Sequence, residues 1–318
     1  MAIAIAHPNI ALSKYWGKRA GEGNVPAVPS LSVTLAGLAT RTEVVFDGAL
    51  DADTFLLNGA PSDAGALART TELLDRVRAA AGITMRARVV STNDFPTASG
   101  LASSASGFAA LALASVSAAR LDWSVGQIAE LARRSSASAA RSLFGGFVAL
   151  EGESAQQVAP AGTIDLTVLV CVTTEAAKAV SSRNGMALTA EKSPYYAGWL
   201  ETAPRIHADL KAALLAGDLV KTCTLAEESA LAMHASAFAA GVVYVSGATL
   251  EALRTVQALR KDGIGAWATM DAGPHLKCLV AGKDVQVVKE RLAKTPGVLR
   301  ILEAVAGPGA HLVEEARA

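Results

Sequence analysis

The stretch from Pro96 to Ala114, PTASGLASSASGFAALALA, gathers five hydroxyl side chains around Gly100 and then becomes an Ala/Leu-rich run. The hydroxyls belong to Thr97, Ser99, Ser103, Ser104 and Ser106. The first turn of a helix carries unpaired N–H groups and a partial positive charge. A preceding glycine lets the backbone approach a phosphate, and serine hydroxyls add donors, so the chemistry this stretch suits is anion binding. It is not the Walker type, because no Gly-Lys-Ser/Thr follows Gly100. The competing reading is an N-cap on a buried helix, which one serine would satisfy. The SSAS of residues 103–106 recurs at 135–138, suggesting two Ser-rich helix starts facing one ligand. Asp271 lies in TMDAGPH, a small-residue turn after an apolar strand. Such a turn can present a carboxylate that orients a hydroxyl and takes its proton, or the aspartate simply stabilises its own turn. Ser138 and Arg141 are three apart and share a helix face; arginine suits a two-point grip on a carboxylate. Tyr15 and Lys18 flank Trp16-Gly17, with a solvated strand-end amine as the plain reading of Lys18.

Positioning these groups requires both strands and helices. AIAIAHPNIALSKYWG, SLSVTL, ATRTEVVFD and TMRARVVSTND read as strands. DAGALARTTELLDRVRAAAG reads as a helix closing on Gly82, and a second helix runs from residue 99 to near Ala119. SVGQIAELARRSS is a third, capped by Ser124, and SASAARSLFGG a fourth, stopping at Gly145-Gly146. FVALEG and LTVLVCVTT are strands. Helices follow near 190–202, 204–215, 217–236 and 247–261. GAWATMDAGPHLKCLVAG reads as strand, tight turn, strand; VQVVKERLAKT is a helix and GVLRILEAVAG a strand. This order implies an α/β or α+β class, with a boundary near 175–180.

The 318 residues are 51% apolar and 18% charged, with a formal net charge of +0. That balance gives no basic excess for nucleic acid or an anionic membrane, though it permits a local basic pocket. The N-terminus lacks a basic leader segment and is interrupted by His7-Pro8-Asn9, and no apolar stretch is long enough to span a bilayer. Cys171, Cys223 and Cys278 form neither a zinc pattern nor a disulfide framework, and the five histidines show no ligand spacing. The expectation is a soluble, cytoplasmic protein without a structural metal.

Four stretches in order, NIALSKYWGKR (9–19), PTASGLASSAS (96–106), SSASAARSLFGGF (135–147) and MDAGP (270–274), resemble the diphosphomevalonate decarboxylase family. That family lies within the galactokinase, homoserine kinase, mevalonate kinase and phosphomevalonate kinase superfamily. AVSSRNGM (179–186) and SPYYAGWL (193–200) are similar to its bacterial branch. The resemblance implies a two-domain α/β (α+β) fold with the active site in a cleft between the domains. Residues 1–178 would form the ATP-binding domain and 179–318 the domain completing the substrate site. It implies ATP- and Mg²⁺-dependent decarboxylation of (R)-5-diphosphomevalonate to isopentenyl diphosphate by way of phosphorylation of the 3-hydroxyl. It further implies a homodimer with small-molecule partners alone.

Residue by residue, the resemblance assigns Ser99, Gly100, Leu101, Ala102, Ser103 and Ser104 to the ATP phosphates, with Ser104 reaching Mg²⁺. Lys178 approaches the same phosphates. Asp271 is the catalytic carboxylate and Lys18 the lysine beside it and the substrate. Arg141 holds the substrate carboxylate, Tyr15, Ser136 and Ser138 lie along the substrate, and Ser182, Arg183 and Met186 lie beside its diphosphate. The chain departs from the family's usual GSGSA in reading Ser135-Ser136-Ala137-Ser138-Ala139, and Val28-Pro29 stands where an asparagine is usual. Arg76 and Arg78 are candidates for a substrate-phosphate arginine. The alternatives are a phosphomevalonate decarboxylase, a mevalonate 3-kinase, and a non-enzymatic binding protein on the same fold.

Overall fold

The computed structural model describes residues 1–19, 21, 23–95, 103–176 and 180–313. His7-Pro8 divides the first apolar stretch into β1 (Ala2–Ala6) and β2 (Asn9–Ser13). Proline has no N–H to give a ladder, and the two strands enter different sheets. β3 (Ser30–Thr34) and β4 (Thr40–Asp47) follow. Asn58 and Gly59, both at positive φ, then turn a hairpin of β5 (Thr54–Leu57) and β6 (Ala60–Pro61) that alternation alone did not reveal. Asp63 caps α1 (Ala64–Ala81), which ends on left-handed Gly82 as expected. β7 (Arg86–Asn93) leads to α2 (Ser103–Ala118), an apolar helix buried over most of its surface.

Ser124 and Gln127 form a capping box at the start of α3 (Val125–Ser135). Ser136 then takes an extended backbone, and α4 (Ala137–Arg141) begins. This helix is shorter than the expected run to Gly145-Gly146. Ser142 and Phe144 donate to Ala139 and Arg141, so the segment tightens into three-residue turns. β8 (Phe147–Glu151), β9 (Ser154–Ala159) and β10 (Leu166–Val172) come next. The helices expected at 190–202 and 204–215 are differently divided. α5 is Ser182–Lys192, and α6 (Tyr196–Leu215) passes straight through Pro204. Proline forfeits one backbone bond there, but Trp199, Ala203, Ile206, His207 and Leu210 bury one continuous face that spans it. α7 (Leu219–Ala239), α8 (Gly247–Lys261), β11 (Ala266–Met270), β12 (Leu276–Ala281), α9 (Val285–Ala293), β13 (Arg300–Val305) and β14 (His311–Leu312) complete the order.

The sheets run β14-β1-β4-β7-β5-β6, β2-β3-β8-β9 and β11-β12-β10-β13. Among the described residues the β5–β7 pair is parallel and the other strand pairs are antiparallel, an α+β arrangement. β10 precedes the expected 178/179 boundary yet pairs with β12 and β13. One core joins the second and third sheets: Ile10, Leu12, Leu31 and Val33 pack with Val168, Val170, Leu210 and Leu214. That shared core fixes the end of β2 relative to the end of β11. Among the described residues no helix is long and apolar enough to cross a membrane.

Candidate active site

Met270 pairs with Leu276 at the mouth of the β11–β12 hairpin, leaving Asp271 in the connecting turn. Its carboxylate lies between two ammonium groups. Lys14 Nζ is 2.8 Å from Oδ1, and Lys277 Nζ is 3.3 Å from Oδ2. Both lysine side chains are buried, whereas that of Asp271 is 27% exposed. Burial alone would raise the Asp271 pKa, but the charges of Lys14 and Lys277 outweigh it and hold the group far below the ordinary carboxylate range. Burial pulls Lys14 down to about 8 despite the opposing pull of Asp271. Lys14 Nζ also donates to the Ala11 carbonyl at 2.8 Å, so two acceptors fix the ammonium.

Lys18, expected beside Asp271, is placed elsewhere. Its Nζ donates to Asn24 Oδ1, and its pKa is lowered first by burial and then by the charge of Arg183. Lys14 leaves β2 pointing into the protein, whereas Gly17, at φ 104, redirects the chain before Lys18. The signal for the missed pair was the setting of the two lysines. Lys14 directly follows a strand buried at every position, and Lys277 sits inside another strand buried almost throughout. A charge in such a place needs a counter-charge.

Arg141 is buried and held from one side. Its Nη1 donates to Ser30 Oγ at 2.8 Å, and Nε and Nη2 donate to Asn9 Oδ1 at 3.3 and 3.2 Å. Asn9 Nδ2 in turn donates to the Ser138 carbonyl and to Ser142 Oγ, which fixes which way its amide points. Asn9, unremarked in the sequence, is therefore the support of the arginine. Burial lowers the Arg141 pKa to about 10, so the guanidinium remains charged at neutral pH.

Asn9, Lys14, Lys18, Arg141 and Asp271 line one cavity of about 410 Å³. The two SSAS segments meet there as their echo suggested: Ser103 and Ser104 enter from the first turn of α2, and Ser135, Ser136 and Ser138 from the α3–α4 junction. Ser106 faces inward and shares a hydrogen bond with Thr40 Oγ1 at 2.7 Å, so it belongs to the packing. Ser181 caps α5, whose first residues Ser182 and Arg183 line the cavity together with Met186. Tyr15 lines it too; its buried hydroxyl finds no partner among the described residues, and burial raises its pKa to about 12. Ser99, Gly100, Leu101, Ala102 and Lys178 lie outside the described residues.

The α1 arginine that reaches the cavity is Arg69. Arg76 pairs with Glu72, and Arg78 is buried between Asp53 and Asp75. Arg69 sits two helical turns before Arg76, and sequence alone did not single it out. Val28 is packed with Trp16, Met186 and Trp199 beneath the cavity, which makes it part of an apolar floor. In sum, among the described residues the cleft is lined by Lys14, Lys18, Arg69, Arg141 and Arg183 with one carboxylate, that of Asp271, which buried Lys277 backs from outside the lining. It is built to hold a polyanion and to act on a group placed beside Asp271.

Residues 6–161 match the diphosphomevalonate decarboxylase-like N-terminal domain. Residues 168–304 match the mevalonate 5-diphosphate decarboxylase C-terminal domain. The solved mevalonate diphosphate decarboxylase of Enterococcus faecalis is similar at 38% identity and a TM-score of 0.89, with 98% of each chain covered. A complex of MDDEF with MVAPP, AMPPCP and magnesium reaches a TM-score of 0.92 at 38% identity and 98% coverage of each chain. Among curated relatives, the diphosphomevalonate decarboxylase of Candida albicans is 30% identical over 99% of this chain and 98% of its own. The phosphomevalonate decarboxylase of Haloferax volcanii is 32% identical over 100% of this chain and 99% of its own.

Proposed function

The chain belongs to the diphosphomevalonate decarboxylase family, and from that premise we propose how its cleft carries out the reaction. The reaction is the ATP-dependent conversion of (R)-5-diphosphomevalonate to isopentenyl diphosphate, ADP, phosphate and CO₂. The substrate hydroxyl is tertiary and hydroxide is a poor leaving group. Phosphorylation makes it a good one. The 3-hydroxyl oxygen bonds to the γ-phosphorus as the bond from that phosphorus to the β-phosphate oxygen breaks, which releases ADP, and the hydroxyl proton passes to Asp271. Cleavage of the C–O bond then expels phosphate, and the electrons of the carboxylate C–C bond become the alkene as CO₂ departs.

The observation that carries the assignment of roles is the carboxylate of Asp271 held between Lys14 and Lys277 and opening onto the cleft. Asp271 accepts a hydrogen bond from the 3-hydroxyl and orients its oxygen for attack. A carboxylate held this acidic is a weak base. It suffices because phosphoryl transfer passes through a loose transition state and needs the proton only late. Lys14 and Lys277 fix the carboxylate and offset charge on the transferred group. Arg141, oriented by Asn9 and Ser30, grips the substrate carboxylate. The grip loosens as the carboxylate becomes neutral CO₂. Lys18, Arg69 and Arg183, with Tyr15, Ser136, Ser138, Ser182 and Met186, receive the rest of the substrate and its diphosphate.

The residues present fit ATP with Mg²⁺. Two Ser-rich helix starts open on the cavity, and helix N-termini with hydroxyls suit phosphate. Among the described residues no cluster of three or more His, Cys, Asp or Glu could hold a metal ion. Ser104, on the cavity lining, would supply the protein hydroxyl for a Mg²⁺ that enters with the nucleotide, in keeping with an ion that retains its waters. When bound, it neutralises charge on the phosphates. Ser103 and Ser104, with Ser99, Gly100, Leu101, Ala102 and Lys178, hold the nucleotide phosphates in this reading.

We further propose that residues 1–178 carry the nucleotide site and 179–318 complete the substrate site, with β10 of the first part lending a strand to the sheet of the second. The family resemblance also supports a cytoplasmic homodimer. The direct test supplies purified protein with ATP–Mg²⁺ and each of mevalonate, 5-phosphomevalonate and 5-diphosphomevalonate, following ADP and CO₂ together. Equal release of both, with 5-diphosphomevalonate preferred, is expected. ADP without CO₂ would make the chain a 3-kinase, and preference for the monophosphate would align it with the Haloferax volcanii relative.

A further inference from the structure

Lys18 reaches the cavity from a loop closed by unusual means. Arg19 N donates to the Val25 carbonyl and Ala27 N to the Gly17 carbonyl, so the strands of the loop pair across it. At its tip, Asn24 takes a left-handed backbone with φ 56, which asparagine tolerates better than most residues. The Asn24 side chain leaves the loop and docks on the end of α3. Its Nδ2 donates to the carbonyls of Arg133 at 3.2 Å and Arg134 at 2.7 Å. These belong to the last turn of the helix, where carbonyls lack helical partners. The buried guanidinium of Arg133 reinforces the dock by donating to the Gly23 carbonyl and to Glu153.

This dock dictates the orientation of the amide. Nδ2 has two hydrogens, and two carbonyls receive them. Oδ1 is left as an acceptor on the opposite side, where it receives Lys18 Nζ. No ion pair among the described residues includes Lys18, whereas Lys14 and Lys277 both have Asp271. A neutral acceptor can hold an ammonium in place without cancelling its charge. Lys18 and Arg183 line the same cavity and repel each other, a state that a polyanion between them would relieve.

We propose that Asn24 is a positioning residue for Lys18: its amide, docked on the end of α3, presents Lys18 as an uncancelled positive charge to the diphosphate of the substrate. This deepens the functional reading above and rests on it for the identity of the ligand.

Asn24→Gly is the informative variant, because glycine keeps the left-handed backbone and deletes only the amide. The expected result is a KM for 5-diphosphomevalonate raised roughly tenfold, in line with losing a held contact to a charged group, with kcat nearly unchanged. The same substitution in a Lys18→Met background is expected to add nothing further. A KM effect equal in both backgrounds, or no effect, overturns the proposal. A second readout needs no turnover: the rate at which an amine reagent modifies Lys18, followed by mass spectrometry. Release from Asn24 is expected to raise that rate several-fold, and an unchanged rate overturns the proposal. If glycine loosens the loop, Asn24→Ser is read in the same two ways. Wild-type protein inert towards 5-diphosphomevalonate would count against the functional reading, while the Lys18 modification rate would still decide the role of Asn24.

Discussion

Replacing Lys14 by methionine removes one of the two charges that hold Asp271 while keeping most of the side-chain volume. The bond lost is a charge-assisted one of 2.8 Å from a buried ammonium. Such bonds contribute about 1.5–3 kcal/mol. Two features reduce the effect on folding: Asp271 keeps Lys277 at 3.3 Å and is 27% exposed to solvent, and methionine no longer has a charge to bury. A loss of about 1–2 kcal/mol in stability is expected, visible as a fall of several degrees in Tm. The effect on turnover is expected to be far larger, about 10²–10³-fold in kcat, because the carboxylate loses both its orientation and a charge facing the transferred phosphoryl group. The pH dependence carries a second signature. With a folded pKa of about 8, Lys14 loses its proton above that pH, and the wild-type kcat/KM is expected to fall there. Lys14→Met abolishes that alkaline limb. Stability moves the other way. Below about pH 8 both states are protonated, whereas between about 8 and 10.5 the unfolded chain still holds a proton that the folded chain has released. The contribution of Lys14 to stability therefore rises with pH across that window, and the variant lacks the rise. Near wild-type kcat in Lys14→Met, with the alkaline limb intact, would refute this reasoning.

Arg141→Lys keeps the charge but not the planar fork aligned by Asn9 and Ser30. Substrate affinity is expected to fall at least roughly tenfold in titration calorimetry, with ATP affinity unchanged. Tyr15→Phe removes a buried hydroxyl that has no partner among the described residues. Tm is expected to hold or rise slightly while the KM for the substrate increases, as steady-state kinetics will show. Ser104→Ala deletes a hydroxyl at the start of α2. The KM for ATP is expected to rise by the equivalent of about 1–3 kcal/mol, with the fold preserved by circular dichroism.

The parts of the site legible in the sequence were those with a local signature. The two Ser-rich segments announce helix starts, and both do open on the cavity. Asp271 was legible through the family resemblance, since its small-residue turn by itself suits an aspartate that only stabilises that turn. Lys14 and Lys277 were not, since a buried lysine in a strand shows its purpose only when the strand carrying its partner is laid beside it. Asn9 and Arg69 were missed for the same reason: each acts through a contact more than 100 residues away or across a cleft. In the fold, Pro204 misled because its local cost is visible in sequence, whereas the buried face that carries α6 through it is a tertiary property. The short β5–β6 hairpin and the two-residue β14 were too brief to show alternation.

The central claim is that Asp271 orients the 3-hydroxyl and takes its proton, and Asp271→Asn tests it most directly. Asparagine has nearly the same size and can still stabilise the turn, but it offers no charge to Lys14 and Lys277 and accepts no proton. A melting curve must accompany the assay, because stranding buried ammonium groups destabilises proteins by a few kcal/mol. In folded Asp271→Asn protein, ADP and CO₂ release are expected to fall together by at least about 10²–10⁴-fold, with ATP affinity retained. Near-normal release of both products from this variant would contradict the assignment and leave Lys14, Lys277 and electrostatics alone as the source of catalysis.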